Sequence, residues 1–227
     1  GGAGRDLLYG GTGDDTYIFE AGFGGSSPDV VYEELNEGTD TIHFGGGITA
    51  QDIYSWTDTY GRLYLQLEGT GADTLYIDGD YSSSTGVDVG SYVEYVTFDD
   101  STAWDLTQGL HLRNNDTART LYGSAENDII EGGAANDTLR GFAGDDWLTG
   151  HGGNDALYGG AGADTFAFMA EDVGNGIDTL RDFSMSEGDV IDLRDVLDGG
   201  YDPLTDALAD FVKFTMRVSE TPGLRFR

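Results

Sequence analysis

Along residues 123–167 a large apolar side chain recurs every nine residues, at Ile130, Leu139, Leu148, Leu157 and Phe166, each two places after an aspartate. Glycine, alanine and polar residues fill the intervals. Alignment on the aspartates gives five tandem nonapeptides: GSAENDIIE (123–131), GGAANDTLR (132–140), GFAGDDWLT (141–149), GHGGNDALY (150–158) and GGAGADTFA (159–167). Two more, GGAGRDLLY (1–9) and GGTGDDTYI (10–18), open the chain and add Leu8 and Tyr17 to the apolar set. Position one is always Gly and position six always Asp. The pattern predicts a glycine-rich half-turn of six residues followed by three in a strand, whose middle residue points inward. Two nonapeptides then make one 18-residue coil. Coils stack at a spacing of roughly 4.8 Å. The expected fold is all-β, a parallel β-roll with an interleaved β-strand segment and a C-terminal β-rich cap.

Between the two blocks, residues 20–106 alternate apolar and polar positions in DVVYEEL, DTIHF, RLYLQL, DTLYI and YVEYVTF, bounded by turn residues. Residues 63–67 and 75–77 read as a β-hairpin. Degenerate loops recur at 24–31 (GGSSPDVV), 38–42 (GTDTI) and 69–75 (GTGADTL). The expected division is a repeat block at 1–19, a β-rich segment at 20–106, a polar connector at 107–122, a roll at 123–168 and a cap at 169–227. In the cap, Ile177, Leu180, Phe183, Val190, Ile191 and Leu193 are expected to close the roll. DPLTDALADFVKF offers a helix with Asp202 as N-cap and Pro203 at its first position. The final RVSETPGLRFR breaks the pattern.

Charge changes the picture most. The 227 residues carry 42 acidic against 11 basic side chains, a net charge of −31, and 31 of the acids are Asp. Asp favours turns and hard-cation sites, whereas Glu favours exposed helices. Such a charge makes nucleic acid a poor partner and disfavours anionic membrane surfaces. No apolar run is long enough to span a membrane. With no cysteine, no disulfide can staple the fold. Residue 1 falls inside a repeat, as expected for a piece of a longer protein. The 12% aromatic content argues against plain disorder.

Stacked loops offering Asp carboxylates and glycine-exposed carbonyls suit calcium, because two Ca–O bonds of about 2.4 Å each span the gap between coils. In the first block the expected ligands are Gly1, Gly2, Gly4 and Asp6, then Gly10, Gly13 and Asp15, with help from the loop ending at Asp29 or from repeats upstream of residue 1. In the second they are Gly123 and Asp128, Gly132 and Asp137, and Gly141, Gly144 and Asp146. Gly150, Gly153 and Asp155, then Gly159, Gly162 and Asp164, continue the series, and Asp178 follows it. Loops two repeats apart share an edge, so Asp128, Asp146 and Asp164 line one side and Asp137 and Asp155 the other. One apolar side chain per nine residues does not offset the entropy of ordering them, so folding should require the metal.

These nonapeptides resemble those of the repeats-in-toxin (RTX) family, whose pattern is G-G-x-G-x-D-x-U-x. GGAGRDLLY, GGTGDDTYI and GGAGADTFA match it at every position. Elsewhere Glu126 and Ala135 replace the fourth-position glycine, and Ser124, Phe142 and His151 the second. Residues 47–106 resemble the β-rich haemolysin-type calcium-binding related segment often interleaved with RTX blocks, and residues 175–197 the region that follows the repeats in type I secreted proteins. The resemblance implies several calcium ions bound in a β-roll, a secreted or cell-surface bacterial protein, and export by the type I secretion machinery. The expected function is a calcium-dependent folding and export module; the alternatives are an adhesin-type module gripping carbohydrate or a surface, and the non-catalytic part of a secreted protease or lipase. His43, His111 and His151 lie far apart without metal-site spacing and are expected as surface or turn residues. No nucleophile elbow or phosphate loop is present.

Overall fold

A computed structural model describes residues 2–198 apart from 36, 37, 72, 83 and 171–173. The first block winds through β1 (Leu7–Tyr9), β2 (Thr16–Phe19), β3 (Asp29–Tyr32) and β4 (Thr41–Phe44). A meander of β5 (Ile53–Thr57), β6 (Leu63–Leu67) and β7 (Thr74–Ile77) follows, then β8 (Asp80–Ser82), β9 (Gly86–Asp88), β10 (Tyr95–Phe98) and β11 (Ala103–Asp105). The second block comprises β12 (His111–Arg113), β13 (Thr120–Tyr122), β14 (Ile129–Glu131), β15 (Thr138–Ala143), β16 (Trp147–Thr149), β17 (Ala156–Ala161) and β18 (Thr165–Ala167). Beyond it come β19 (Thr179–Leu180), β20 (Val190–Asp192) and the short α1 (Arg194–Asp198).

Strands one coil apart pair in parallel. His111, Ile129, Trp147 and Thr165 stand in register on one wall of the roll, and Thr120, Thr138 and Ala156 on the other. The three-residue strands from β12 to β18 bury their middle side chains, because successive side chains point to opposite faces. Leu112, Ile130, Leu148 and Phe166 therefore form one internal column and Leu121, Leu139 and Leu157 a second, all buried. The first block repeats the plan. Tyr17, Ile42 and Val96 share one column, and Phe19, Phe44 and Phe98 the next.

A ten-stranded sheet in the order β1-β3-β7-β6-β5-β12-β14-β16-β18-β20 runs through both blocks, and two four-stranded sheets, β11-β10-β4-β2 and β13-β15-β17-β19, cover its ends. The antiparallel meander joins the blocks: β6 pairs with β7 in the expected hairpin, with Leu63 opposite Ile77 and Leu65 opposite Leu75. β5 then reaches β12 through Arg113 and Ser55. The core is one continuous cluster.

Three expectations change. The polar stretch 107–122 is wound into the roll: β12 and β13 form its first coil, with Leu112 and Leu121 inward despite the absence of position-six aspartates. Ile177 and Val190 do not close the roll; both are exposed, whereas Leu180 and Phe183 pack on the core. The register explains this, since Leu180 and Ile191 continue the inward columns while Val190 flanks them. The loop at 69–75, read also as a degenerate repeat, serves only as the turn of the expected hairpin, and its Asp73 carboxylate accepts the N–H groups of Gly22 and Gly24 at 2.7 and 3.1 Å. The helix expected from Asp202 lies outside the described residues.

Candidate metal centre

From Asp128 to Asp164, each position-six aspartate is held by the coil before it. The N–H of Asp128 donates to Oδ1 of Asp146 at 2.8 Å, Asp146 to Asp164 at 3.0 Å, and Asp164 to Asp189 at 3.1 Å. On the other edge Asp137 donates to Asp155 at 2.7 Å and Asp155 to Asp178 at 3.0 Å. The expected edges are thus the observed ones, and Asp178 continues the second. In the first block Asp6 donates to Asp29 at 2.8 Å and Asp15 to Asp40 at 2.9 Å. Asp29 therefore serves Asp6 alone; Asp15 is served by the loop ending at Asp40.

This arrangement uses one oxygen of each carboxylate and leaves the other. Oδ2 of Asp15, Asp29, Asp137, Asp146, Asp155 and Asp164 is buried with no hydrogen-bond partner. A buried anionic oxygen without a partner is costly unless a cation meets it. Asp128 and Asp6 differ, because Ser124 N–H and Gly2 N–H satisfy their Oδ2 atoms, both at 2.6 Å. At both loops it is the backbone N–H of position two that meets this oxygen, and the Ser124 hydroxyl adds a bond to Oδ1 of Asp128 at 2.8 Å.

Glycine shapes the cradle. A Cβ on Gly141 would collide with Oδ2 of Asp146 and come within 2.5 Å of the Gly159 carbonyl oxygen. Gly123, Gly150 and Gly159 are likewise closed by the Oδ2 of their own aspartates, and Gly132 by the Gly150 carbonyl. At position four, Gly144 adopts φ 107°, the left-handed region that glycine tolerates, and Gly153 and Gly162 follow it. Gly4, Gly10 and Gly13 occupy the matching places in the first block, and Gly1 lies outside the described residues. Phe142 and His151, standing for glycine at position two, are themselves driven to positive φ.

Electrostatics point the same way. Burial, reinforced by Asp128, Asp164 and Asp145, pushes the Asp146 carboxyl up to about 9. Burial with Asp178 and Asp137 nearby raises Asp155 to about 7. Asp128 and Asp164 rise to about 6, again chiefly through burial. The donor set is oxygen-only, rich in carboxylates and buried, and a hard cation of flexible coordination would restore the charged form that burial disfavours.

Sequence reasoning passed over several acids. Asp189 completes one edge, and Glu33 and Asp40 join Asp15 with one oxygen each inside a 4.8 Å cluster. The signal was an Asp two places before a large apolar residue, in Asp40-Thr-Ile42 and Asp189-Val-Ile191. It was hidden because the step there is 25 residues rather than 18: Thr16 pairs with Thr41 and Thr165 with Val190. The histidines build no site. His43 and His111 are strand residues, the latter stacked on Trp104 at 5.5 Å, and His151 sits in a turn.

Stacked loops with orphaned carboxylate oxygens over glycine, wound around an apolar core, define a calcium-binding β-roll. The family model of the RTX calcium-binding nonapeptide repeat (4 copies) matches residues 1–24, 120–142 and 135–166, so the chain carries RTX calcium-binding repeats in both blocks. No curated protein matches the chain. The repeat module is non-catalytic. Among the described residues no helix is long and apolar enough to cross a membrane.

Proposed function

We propose that this chain is the calcium-operated folding module of a larger secreted bacterial protein, leaving the cell unfolded through type I secretion machinery. The observation that carries the reading is the row of unpartnered Oδ2 atoms on Asp137, Asp146, Asp155 and Asp164. In calcium-poor cytosol these carboxylates repel one another and keep the chain open. At millimolar external calcium, ions enter between loops 123–128 and 141–146, 132–137 and 150–155, and 141–146 and 159–164. Gly1, Gly2, Gly4 and Asp6 with Asp29, and Gly10 and Gly13 with Asp15, hold further ions in the first block. Bound calcium neutralises the edges and stabilises the fold by mass action. Within this division of labour, the meander inside residues 20–106 joins the two rolls, and the strands at 179–180 and 190–192 cap the second. The chain has no catalytic role of its own.

The test is a calcium titration followed by far-UV circular dichroism after EDTA treatment. A disordered spectrum should become β-rich as metal is added; identical spectra with and without calcium would sink the reading. The adhesin alternative gains little from the aromatic residues of the meander, since Trp56 and Tyr64 lie 5.2 Å apart at 3° and cover each other's faces. Retention of the calcium-loaded chain on a glycan array would revive it.

A further inference from the structure

Glu33 departs from the repeat rule in a specific way. Tyr9 pairs with Tyr32, so the next residue, Glu33, stands opposite Gly10, at position one of its loop. All seven nonapeptides carry glycine there. The Glu33 side chain turns back toward the preceding loop, and its Oε1 accepts the Tyr17 hydroxyl. Glu33 Oε2 and Asp15 Oδ2 are both buried without a partner. Asp40, itself 1% exposed, receives the Asp15 N–H, and one oxygen from each of the three carboxylates falls within 4.8 Å of the others. A Cβ on Gly10 would collide with Glu33 Oε1 and come within 2.6 Å of Asp15 Oδ2 and 2.7 Å of the Tyr17 hydroxyl. The space is shaped around these oxygens.

The same substitution recurs independently in the second block. Leu157 pairs with Leu180, which puts Asp182 opposite Gly159, and the Gly159 N–H donates to Asp182 Oδ1 at 3.0 Å. Asp164, with no exposed surface, donates its N–H to Asp189 and leaves Oδ2 unpartnered. In both blocks an acid at position one therefore accompanies the lengthened 25-residue step. Such a coincidence of spacing and residue type marks a built feature.

We propose that Asp15, Glu33 and Asp40 form a three-carboxylate cation site, distinct from the two-aspartate steps of the roll, that takes calcium ahead of them and trivalent lanthanide ions more tightly still. The proposal rests on the calcium reading above. Calcium affinity rises with the number of charged ligands, and a third carboxylate at contact distance adds attraction that neighbouring backbone carbonyls do not match. Tyr17 fills the inward place held elsewhere by Leu, Ile or Phe, and its phenol touches the site through Glu33.

That contact supplies the experiment. Terbium is titrated into the full chain with excitation of tyrosine, and calcium-driven folding is followed in parallel by circular dichroism. Sensitised emission should appear early in the titration, collapse in Tyr17→Phe, and persist in Asp146→Ala. Glu33→Gln, which keeps size, and Glu33→Gly, which restores the repeat residue, should each raise the terbium midpoint on the order of tenfold. Emission that survives Tyr17→Phe, or midpoints unchanged in both Glu33 variants, overturns the proposal while the calcium reading stands. A chain whose spectrum ignores calcium overturns both.

Discussion

Asp146 donates its backbone N–H to Oδ1 of Asp164, one coil away, at 3.0 Å, while its own Oδ2 stays buried and unpartnered. The same residue receives the Asp128 N–H at 2.8 Å. One aspartate thus belongs to two successive steps of the edge. Asp146→Ala should raise the calcium midpoint and lower cooperativity, because one coil docks only on another already ordered. Asp192, beyond the repeats and paired with Arg194 at its side chain, is the control. Asp192→Ala should leave the titration unchanged. If the two variants titrate alike, the position-six aspartates are not the ligands.

The nine-residue period made the second roll legible because every coil from 123 to 167 buries the same position and stacks at the same step. Ile130, Leu139, Leu148, Leu157 and Phe166 all face inward as expected. Where the step lengthens to 25 residues the period no longer finds the partner, which is why Asp40 and Asp189 were missed and Asp29 was assigned to both first-block loops. The coil at 107–122 was hidden for another reason. Leu110 and Arg119 stand where aspartate would be, and their N–H groups donate to Asp128 and Asp137 at 2.6 and 2.7 Å. A first coil needs to donate to the ladder but has no preceding coil to receive, so the defining residue is dispensable there.

Acidity should stabilise the metal-free roll. The Asp146 carboxyl lies at about 9 and Asp155 at about 7, each raised from 3.8 by burial first. A group raised in the folded state holds its proton more tightly there, so its contribution is full below the unfolded value and is lost as pH climbs through the folded one. In EDTA, β-structure should be greatest near about pH 4 and decline toward about pH 9. With calcium bound the carboxylates are charged ligands, and acidification should instead release metal. Circular dichroism across pH with and without EDTA checks both signs; β-content that grows with pH in EDTA would contradict the first.

Gly141→Ala should destabilise the calcium-loaded roll even though it adds a single methyl. The Cβ would meet Asp146 Oδ2 and the Gly159 carbonyl oxygen, neither of which is free to withdraw from a stacked coil. A loss of about 1–3 kcal/mol or more is expected from overpacking of this kind. Gly2→Ala, with nothing within 4 Å of the added atom, should stay within about 0.5 kcal/mol. Denaturant unfolding at saturating calcium measures both, and equal midpoints would show that the cradle has room.

Leu148→Ala separates the core from the ligands. Leu148 has no exposed surface and stands between Ile130 and Phe166 in the inward column, so truncation should cost about 3 kcal/mol. Because folding and binding are one equilibrium, that loss appears as a higher calcium requirement rather than as a missing ion. Spread over about three cooperative ions, it moves the midpoint roughly fivefold. Asp146→Ala should shift the midpoint too, but also lower the number of ions bound at saturation. Equilibrium dialysis with radioactive calcium counts the ions, and circular dichroism locates the midpoint. Leu148→Ala should keep the full count at high calcium. If it loses an ion while Asp146→Ala does not, the carboxylate edge and the apolar column have exchanged the roles assigned to them.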